Sequence, residues 1–296
     1  MLAAVLYFVG RALAERLMAV EWASVHVEPW FAFLAAACLV AAGLGAAVLL
    51  RALLVPFCKP PTLARLIPTA WITPMGRYLP GKAASVVGAV WMLRKQGVPG
   101  AVAASVVAIR QGLSIATGLS IAVPLIVLGP VARRLPVAGA LCLALLGLGV
   151  VALHPKVFGA ATGFLLRKLG KQPLARIPQL REYARPLALM LMLWLLQGLS
   201  LWFTVRALTE VEMATSQIAV MVQAMALAAT IGFLSFFAPA GLGVREGILL
   251  LTLSPSLGPK NAAIVTVAVR LVQTAVEVCL AAAGLICLWA QRQRQS

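Results

Sequence analysis

The sequence predicts an all-α polytopic membrane protein built from two inverted-topology repeats, each with a re-entrant broken-helix hairpin. Three observations predict it. Hydrophobic residues fill 62% of the 296 positions and charged residues only 11%, against about 45–50% and about 25% in soluble domains. Apolar runs of span length recur along the chain. Two further runs are broken by proline and glycine, at matching distances from a later arginine. The first observation excludes a water-soluble enzyme, because one core cannot hide so many apolar side chains. A span takes about 20 apolar residues, so the chain accommodates about 6–7 full spans plus two hairpins.

Residues 30–50 form a clear span closed by Arg51, and residues 101–128 a long one interrupted only by Arg110 and Gln111. Spans follow at 137–153, 187–205 and 262–290, with another apolar run at 215–237. Residues 1–20 leave two readings open, an interfacial helix or a short tilted span. Arg11, Glu15 and Arg16 fall where a span's interior would lie, and Arg11 and Glu15 share a helix face.

Charge sets the orientation. The chain holds 25 Lys and Arg against 8 acids, all of them Glu, for a net charge of +17. In a polytopic protein such an excess marks cytoplasmic loops facing anionic lipid, so no nucleic-acid partner is expected. Residues 155–185 carry seven bases against Glu182 alone, which makes that loop cytoplasmic. Its Val157, Phe158, Phe164, Leu165 and Leu169 alternate with the bases, as in a helix lying at the lipid surface. Loop 206–214 and segment 21–28 read as exterior. Arg292 and Arg294 place the C-terminus in the cytoplasm.

Two regions do not read as ordinary spans. Residues 66–93 are broken by Pro68, Pro74, Gly76, Pro80 and Gly81. Residues 215–253 open with a run long enough to cross, then break at Pro239, Gly241 and Gly243. The stretch left before Ser254-Pro255 makes about 15 Å of helix, half the hydrocarbon thickness. A re-entrant hairpin in each region is the economical solution, since non-helical backbone at membrane depth must face protein or a water-filled cavity.

Each half therefore reads as span, hairpin, span: 30–50, 66–93, 101–128, and then 187–205, 215–253, 262–290. The sequence separation from Gly81 to Arg110 is the same as that from Gly241 to Arg270. Both breaks carry a base, Lys82 in the first and Arg245 in the second. The division is 1–136 for the first repeat, 137–185 for a connecting span and basic loop, and 186–296 for the second repeat. The odd span at 137–153 supplies the inversion. Inverted repeats with broken helices near the midplane point to a transporter binding site.

The candidate site residues are Arg77, Lys82, Arg110, Arg245, Glu246, Arg270 and Glu277. A cation at mid-bilayer costs about 2.5–3.5 kcal/mol on insertion scales, so these positions need a reason. The expectation is a net-positive cavity between the repeats that receives the headgroup of an anionic membrane lipid. Helices beginning near Lys82 and near Val244 would aim their N-termini at it, and arginine adds bidentate contacts to phosphate. The competing reading pairs the arginines with Glu246 and Glu277 to hold the hairpins, but buried bases outnumber buried acids. Lys82 has snorkelling to the interface as its alternative. Tyr78 and Trp91 read as interface anchors or packing.

No metal, cofactor or catalytic constellation is expected. The chain has no Asp and two distant histidines, His26 and His154, and its five cysteines are scattered without a CxxC pair. No phosphate-binding glycine loop is present, so movement would draw on a gradient or on mass action.

The stretch Arg77-Tyr-Leu-Pro-Gly-Lys82, Arg110 in the next span, and Pro239-Ala-Gly-Leu-Gly-Val-Arg-Glu-Gly247 resemble the lysylphosphatidylglycerol synthase transmembrane region. The resemblance covers nearly the whole chain, and the second motif is the more specific. In two-domain members the membrane part is similar to a lipid flippase, and a soluble domain aminoacylates the lipid. The chain ends at Ser296, soon after its last span, so lipid aminoacylation is not expected of it. The resemblance implies a multi-pass protein of a bacterial-type inner membrane that handles an anionic or prenyl-phosphate-linked lipid. A flippase-like transporter rather than an enzyme is the expectation; a membrane-embedded transferase or an accessory subunit of an envelope lipid or glycolipid pathway is the alternative. Hopanoid-linked and envelope glycolipid roles are associated with relatives.

Overall fold

The computed structural model describes residues 27–78, 83–128, 179–211, 213–235 and 241–293, together with Ala140, Leu143, Ala144 and Gly147. Residues 1–20, Pro80, Gly81, Lys82, Pro239, the rest of the 137–153 span and most of the basic loop lie outside the described residues. The described residues are helical, with no strand among them. The helices are α1 (Pro29–Leu54), α2 (Leu63–Ile72), α3 (Ala83–Lys95), α4 (Gly100–Leu128), α5 (Ala184–Leu208), α6 (Gln217–Leu234) and α7 (Val244–Gln293). A 3₁₀ turn, Thr73–Tyr78, continues α2, and another, Leu180–Tyr183, leads into α5.

Five segments among the described residues are long and apolar enough to cross a membrane: Pro29–Leu54, Gly100–Val127, Arg181–Leu208, Gln217–Leu234 and Val244–Gln291. The protein is a multi-pass, all-helical membrane protein. The 10-residue α2 and 13-residue α3 reach only about 15 and 20 Å, too short to cross alone.

Helix α7 is too long for one straight crossing. It bends at Gly258, whose φ of 75° and ψ of 159° leave the helical region, a conformation glycine adopts without a Cβ penalty. Residues 244–257 make a limb of about 21 Å, and residues 259–293 are long enough to span with residues to spare. The helix runs through Ser254 and Pro255, so the break expected at that pair falls at Gly258 instead. Pro255 and Pro259 both lie close to the bend, and a proline's lost N–H and ring bulk weaken the ladder on its N-terminal side.

Helices α1 and α5 run side by side and antiparallel. The Glu28 N–H donates to the Ala207 carbonyl at 2.8 Å, Phe31 stacks on Phe203 at 6.3 Å, and a Cβ on Gly45 would meet Leu193 at 2.8 Å. The guanidinium of Arg206 lies over Phe31 at 4.5 Å and Trp202 at 5.1 Å, which closes that end of the pair with cation–π contacts. Helix α7 packs antiparallel along α2. Gln291 Nε2 donates to the Ala64 carbonyl at 2.8 Å, Gly284 faces Pro68 and Ile72, and Glu277 meets Arg77. Helix α6 is sandwiched by α4, α5 and α7, and its apolar character all round suits that buried place.

Two apolar cores result. One gathers around the first pair of short helices, with Leu50, Leu54, Leu66, Leu93, Val106 and Ile109. The other gathers around α6 and the short limb of α7, with Met221, Met225, Leu249, Leu253, Val265 and Val269.

Candidate functional site

A cavity of about 280 Å³ is walled by the 3₁₀ turn after α2 and by α1, α3, α4, α5, α6 and α7. Three guanidinium groups line it: Arg77 from the 3₁₀ turn, Arg110 from the middle of α4, and Arg245 from the first turn of α7. Polar side chains complete the wall, among them Gln111 and Ser114 on α4, Gln197 on α5, Thr230 on α6 and Gln273 on α7. Among the described residues no carboxylate lines it.

The acids lie just behind the wall, and each is engaged. Glu277 forms an ion pair through Oε1 with Arg77 Nη2. Its Oε2 accepts a hydrogen bond of 2.9 Å from the Tyr78 hydroxyl, which also lies 3.4 Å from Thr274 Oγ1. Glu246 takes Arg270 Nε at 2.9 Å on Oε1 and the Gly243 N–H at 2.6 Å on Oε2. The latter bond is the return half of a capping box, a third-position Glu satisfying the N–H at the helix start. Glu246 and Arg270 are 4% and 7% exposed, so this pair is held away from the membrane surface.

Arg110 and Arg245 have no carboxylate partner among the described residues. Arg245 is 4% exposed; its Nη2 reaches only the Met225 sulfur at 3.0 Å, a weak acceptor, and its Nε has no hydrogen-bond partner. Arg77 is an electrostatic neighbour of both Arg110 and Arg245, so the three cations share one locale. Nine buried side-chain polar atoms among the described residues lack a partner, and four of them belong to residues lining this cavity: Arg77 Nε, Thr230 Oγ1, Arg245 Nε and Gln273 Oε1. Buried polar groups without partners are rare, so this concentration marks the place.

Backbone contact fixes both approaches to the site. Gly241, at φ 71°, sits against Gly232, and a Cβ there would meet the Gly232 carbonyl oxygen at 2.6 Å. Gly76 plays the same part in the first region, where a Cβ would run into the backbone of Ala84 and Ser85. The helices after the two breaks start at Ala83 and Val244.

The structure thus brings together Arg77, Arg110 and Arg245 at the cavity, with Glu277 behind Arg77. Arg270, expected beside Arg110, is instead drawn to Glu246 and is not among the lining residues. Gly241 and Gly243 sit at the start of α7 with positive φ, while Lys82, Pro80, Gly81 and Pro239 fall outside the described residues. Tyr78, read from sequence as an anchor or packing residue, is 5% exposed and bonds Glu277. Trp91 is 54% exposed, with the Lys95 ammonium 3.9 Å from its ring centroid. Sequence reasoning did not single out Thr230, Gln197 or Ser114. A signal for Ser114 was present: Arg110, Ser114 and Thr117 recur at helical spacing in an apolar run.

Among the described residues no group of His, Cys, Asp and Glu is placed to hold a metal ion. Comparison with curated proteins gives no match. The family model for the lysylphosphatidylglycerol synthase TM region matches residues 1–281, nearly the whole chain, and the protein therefore belongs to that family of membrane proteins tied to lipid biology.

Proposed function

We propose that the protein is a flippase-like transporter, not an enzyme, which moves an anionic phospholipid or prenyl-phosphate-linked lipid between the leaflets of an inner membrane. One observation carries this reading. Three guanidiniums, two without carboxylate partners, line a cavity inside an apolar helical protein, and no acid among the described residues lines it with them. An isolated buried cation is costly, and an anionic ligand removes the cost. A cavity of about 280 Å³ suits a headgroup, with the acyl or prenyl tails left in the bilayer. Val86 both lines the cavity and is 41% exposed, so the wall at α3 is thin toward lipid.

The proposed architecture is the inverted pair of repeats, with α2 to α3 and α6 to residue 257 as re-entrant hairpins. Reciprocal packing supports it. The opening spans of the two halves, α1 and α5, lie against each other. The closing span of each half packs on the entering helix of the other's hairpin: α4 on α6, and α7 on α2. Both hairpins are pinched by a glycine contact. On this reading the hairpins meet from opposite sides, their rocking exposes the cavity to each leaflet in turn, and the C-terminus is cytoplasmic.

A membrane-embedded transferase is the rival, and it needs a general base. The two acids near the cavity are both held by guanidiniums, which favours transport. The test is reconstitution into vesicles carrying fluorescent phosphatidylglycerol, with a membrane-impermeant quencher reporting headgroup exposure. Protein-dependent exchange that is lost in Arg110→Gln/Arg245→Gln supports the proposal; unchanged exchange in that variant ends it. Lipids that co-purify with the protein, identified by mass spectrometry, would name the natural cargo. Protein carrying Glu246→Gln together with Glu277→Gln that still exchanges lipid removes the transferase reading.

A further inference from the structure

We infer that the headgroup this cavity takes ends in a phosphate monoester, a dianion, in preference to a singly charged phosphodiester. The inference rests on the reading of the cavity as a lipid-headgroup site and adds a charge count and a donor inventory to it. Four buried or half-buried guanidiniums converge here: Arg77, Arg110, Arg245 and Arg270. Two carboxylates answer them, Glu277 to Arg77 and Glu246 to Arg270. Among the described residues the remainder is two positive charges, Arg110 and Arg245, and both line the cavity. A ligand of charge −2 neutralises that remainder, whereas a diester leaves one guanidinium uncompensated in a low-dielectric wall.

The donor inventory agrees. The cavity presents the guanidiniums of Arg77, Arg110 and Arg245, and Thr230 brings a hydroxyl-bearing side chain to its lining. Arg245 and Thr230 are 4% and 3% exposed, and each keeps a buried donor-capable atom without a partner among the described residues. A terminal phosphate offers three unsubstituted oxygens with lone pairs on several sides and suits bidentate guanidinium contacts. A diester offers two, with its second ester arm occupying one approach.

The test measures binding to the full-length protein in detergent. The probes are dioleoyl phosphatidic acid, dioleoyl phosphatidylglycerol with the same chains, and inorganic phosphate. At pH 8 phosphatidic acid should bind about tenfold more tightly than phosphatidylglycerol, the scale of one charge-assisted contact. The gap should close toward pH 5, because a phosphoryl monoester takes up its second proton near pH 6. Arginine does not titrate in that window, no carboxylate or histidine lines the cavity among the described residues, and Glu246 and Glu277 are held in ion pairs. The pH dependence therefore reports the ligand.

Arg110→Gln and Arg245→Gln should each shrink the gap, and Arg245→Lys, which keeps the charge, should preserve most of it. Equal binding of both lipids at pH 8, lost in both Gln variants, overturns the dianion inference and leaves the anionic-lipid reading intact. Binding of inorganic phosphate alone, with the same arginine dependence, upholds the dianion and overturns the lipid reading. No binding of any probe to protein that still unfolds cooperatively overturns both.

Discussion

Arg110 and Arg270 stand at the same distance behind their glycine breaks, each inside a long span, yet their surroundings are opposite. Arg270 is buried against Glu246, which also ties down the start of α7 through Gly243. Arg110 lines the cavity with no acid beside it among the described residues. Aligning Gly81 with Gly241 explains the difference: the position matching Glu246 is then Val86, which lines the same cavity as Arg110. At the position matching Glu277 stands Thr117, whose hydroxyl donates to the Leu113 carbonyl at 2.7 Å and accepts from Trp194 Nε1 at 3.0 Å. Helix α7, one of the two long helices that carry these arginines, thus ties down both regions: Arg270 holds the start of α7 through Glu246, and Glu277 holds the 3₁₀ turn after α2. The other holds neither and keeps its cation for the cavity. On the proposed reading of two related halves around a lipid site, the presence or absence of an acid decides whether an arginine fastens the structure or receives a ligand.

The largest expected effect breaks the fastening side. Glu246→Ala leaves the Arg270 guanidinium buried and uncompensated and strips the Gly243 N–H of its acceptor, which should cost about 3–5 kcal/mol. The readout is thermal unfolding in detergent. Arg110→Gln, by contrast, removes a charge with no carboxylate partner among the described residues, so it should leave stability unchanged or raised while abolishing lipid exchange. Equal destabilisation by the two changes would erase the distinction between anchoring and receiving arginines.

Gly241→Ala should come next, at about 2–4 kcal/mol, because it places a Cβ at positive φ and also against the Gly232 backbone. Gly243→Ala is its control: φ is 88° but nothing lies within 4 Å of the new methyl, so only the conformational part, about 1–2 kcal/mol, should appear. A smaller loss follows Glu277→Gln, about 1–3 kcal/mol, because the Arg77–Glu277 pair has side chains 31% and 16% exposed and is partly screened. Tyr78→Phe should lose about 1 kcal/mol, the worth of one hydrogen bond. If Glu277→Gln proves costlier than Glu246→Ala, the 3₁₀ turn after α2 rather than the start of α7 is the more tightly held.

Much of this was legible before the structure. The spans at 30–50, 101–128, 187–205, 215–237 and 262–290 follow from composition and length, and the break at Gly241 and Gly243 follows from glycines that precede the start of a helix at Val244. The excess of buried bases over acids was also visible, and it foretells that some cations stay unpaired. Which ones stay unpaired was not. Glu277 shares a helix face with Arg270 by spacing alone, yet it pairs with Arg77, far removed in sequence, because α7 runs antiparallel along α2. Arg270 turns to Glu246, which the short limb of α7 folds back beside it. Helical periodicity says which side chains share a face of one helix. It does not say which helix that face meets.

The smallest expected effect on stability belongs to the sharpest test of the comparison. Val86→Glu installs in the first half the acid that the second half already has. Near the start of α3 a carboxylate is favoured by the helix dipole, and Arg110 lines the same cavity. Val86 is 41% exposed, so little packing is lost, and stability should change by less than about 1 kcal/mol. Lipid exchange should nevertheless fall, because Arg110 would then be neutralised as Arg270 is by Glu246. Adding Arg110→Gln to Val86→Glu removes the new partner, so the double variant should be less stable than Val86→Glu alone. A Val86→Glu protein that exchanges lipid at the parent rate would show that Val86 does not face Arg110, and the register relating the two halves would have to be redrawn.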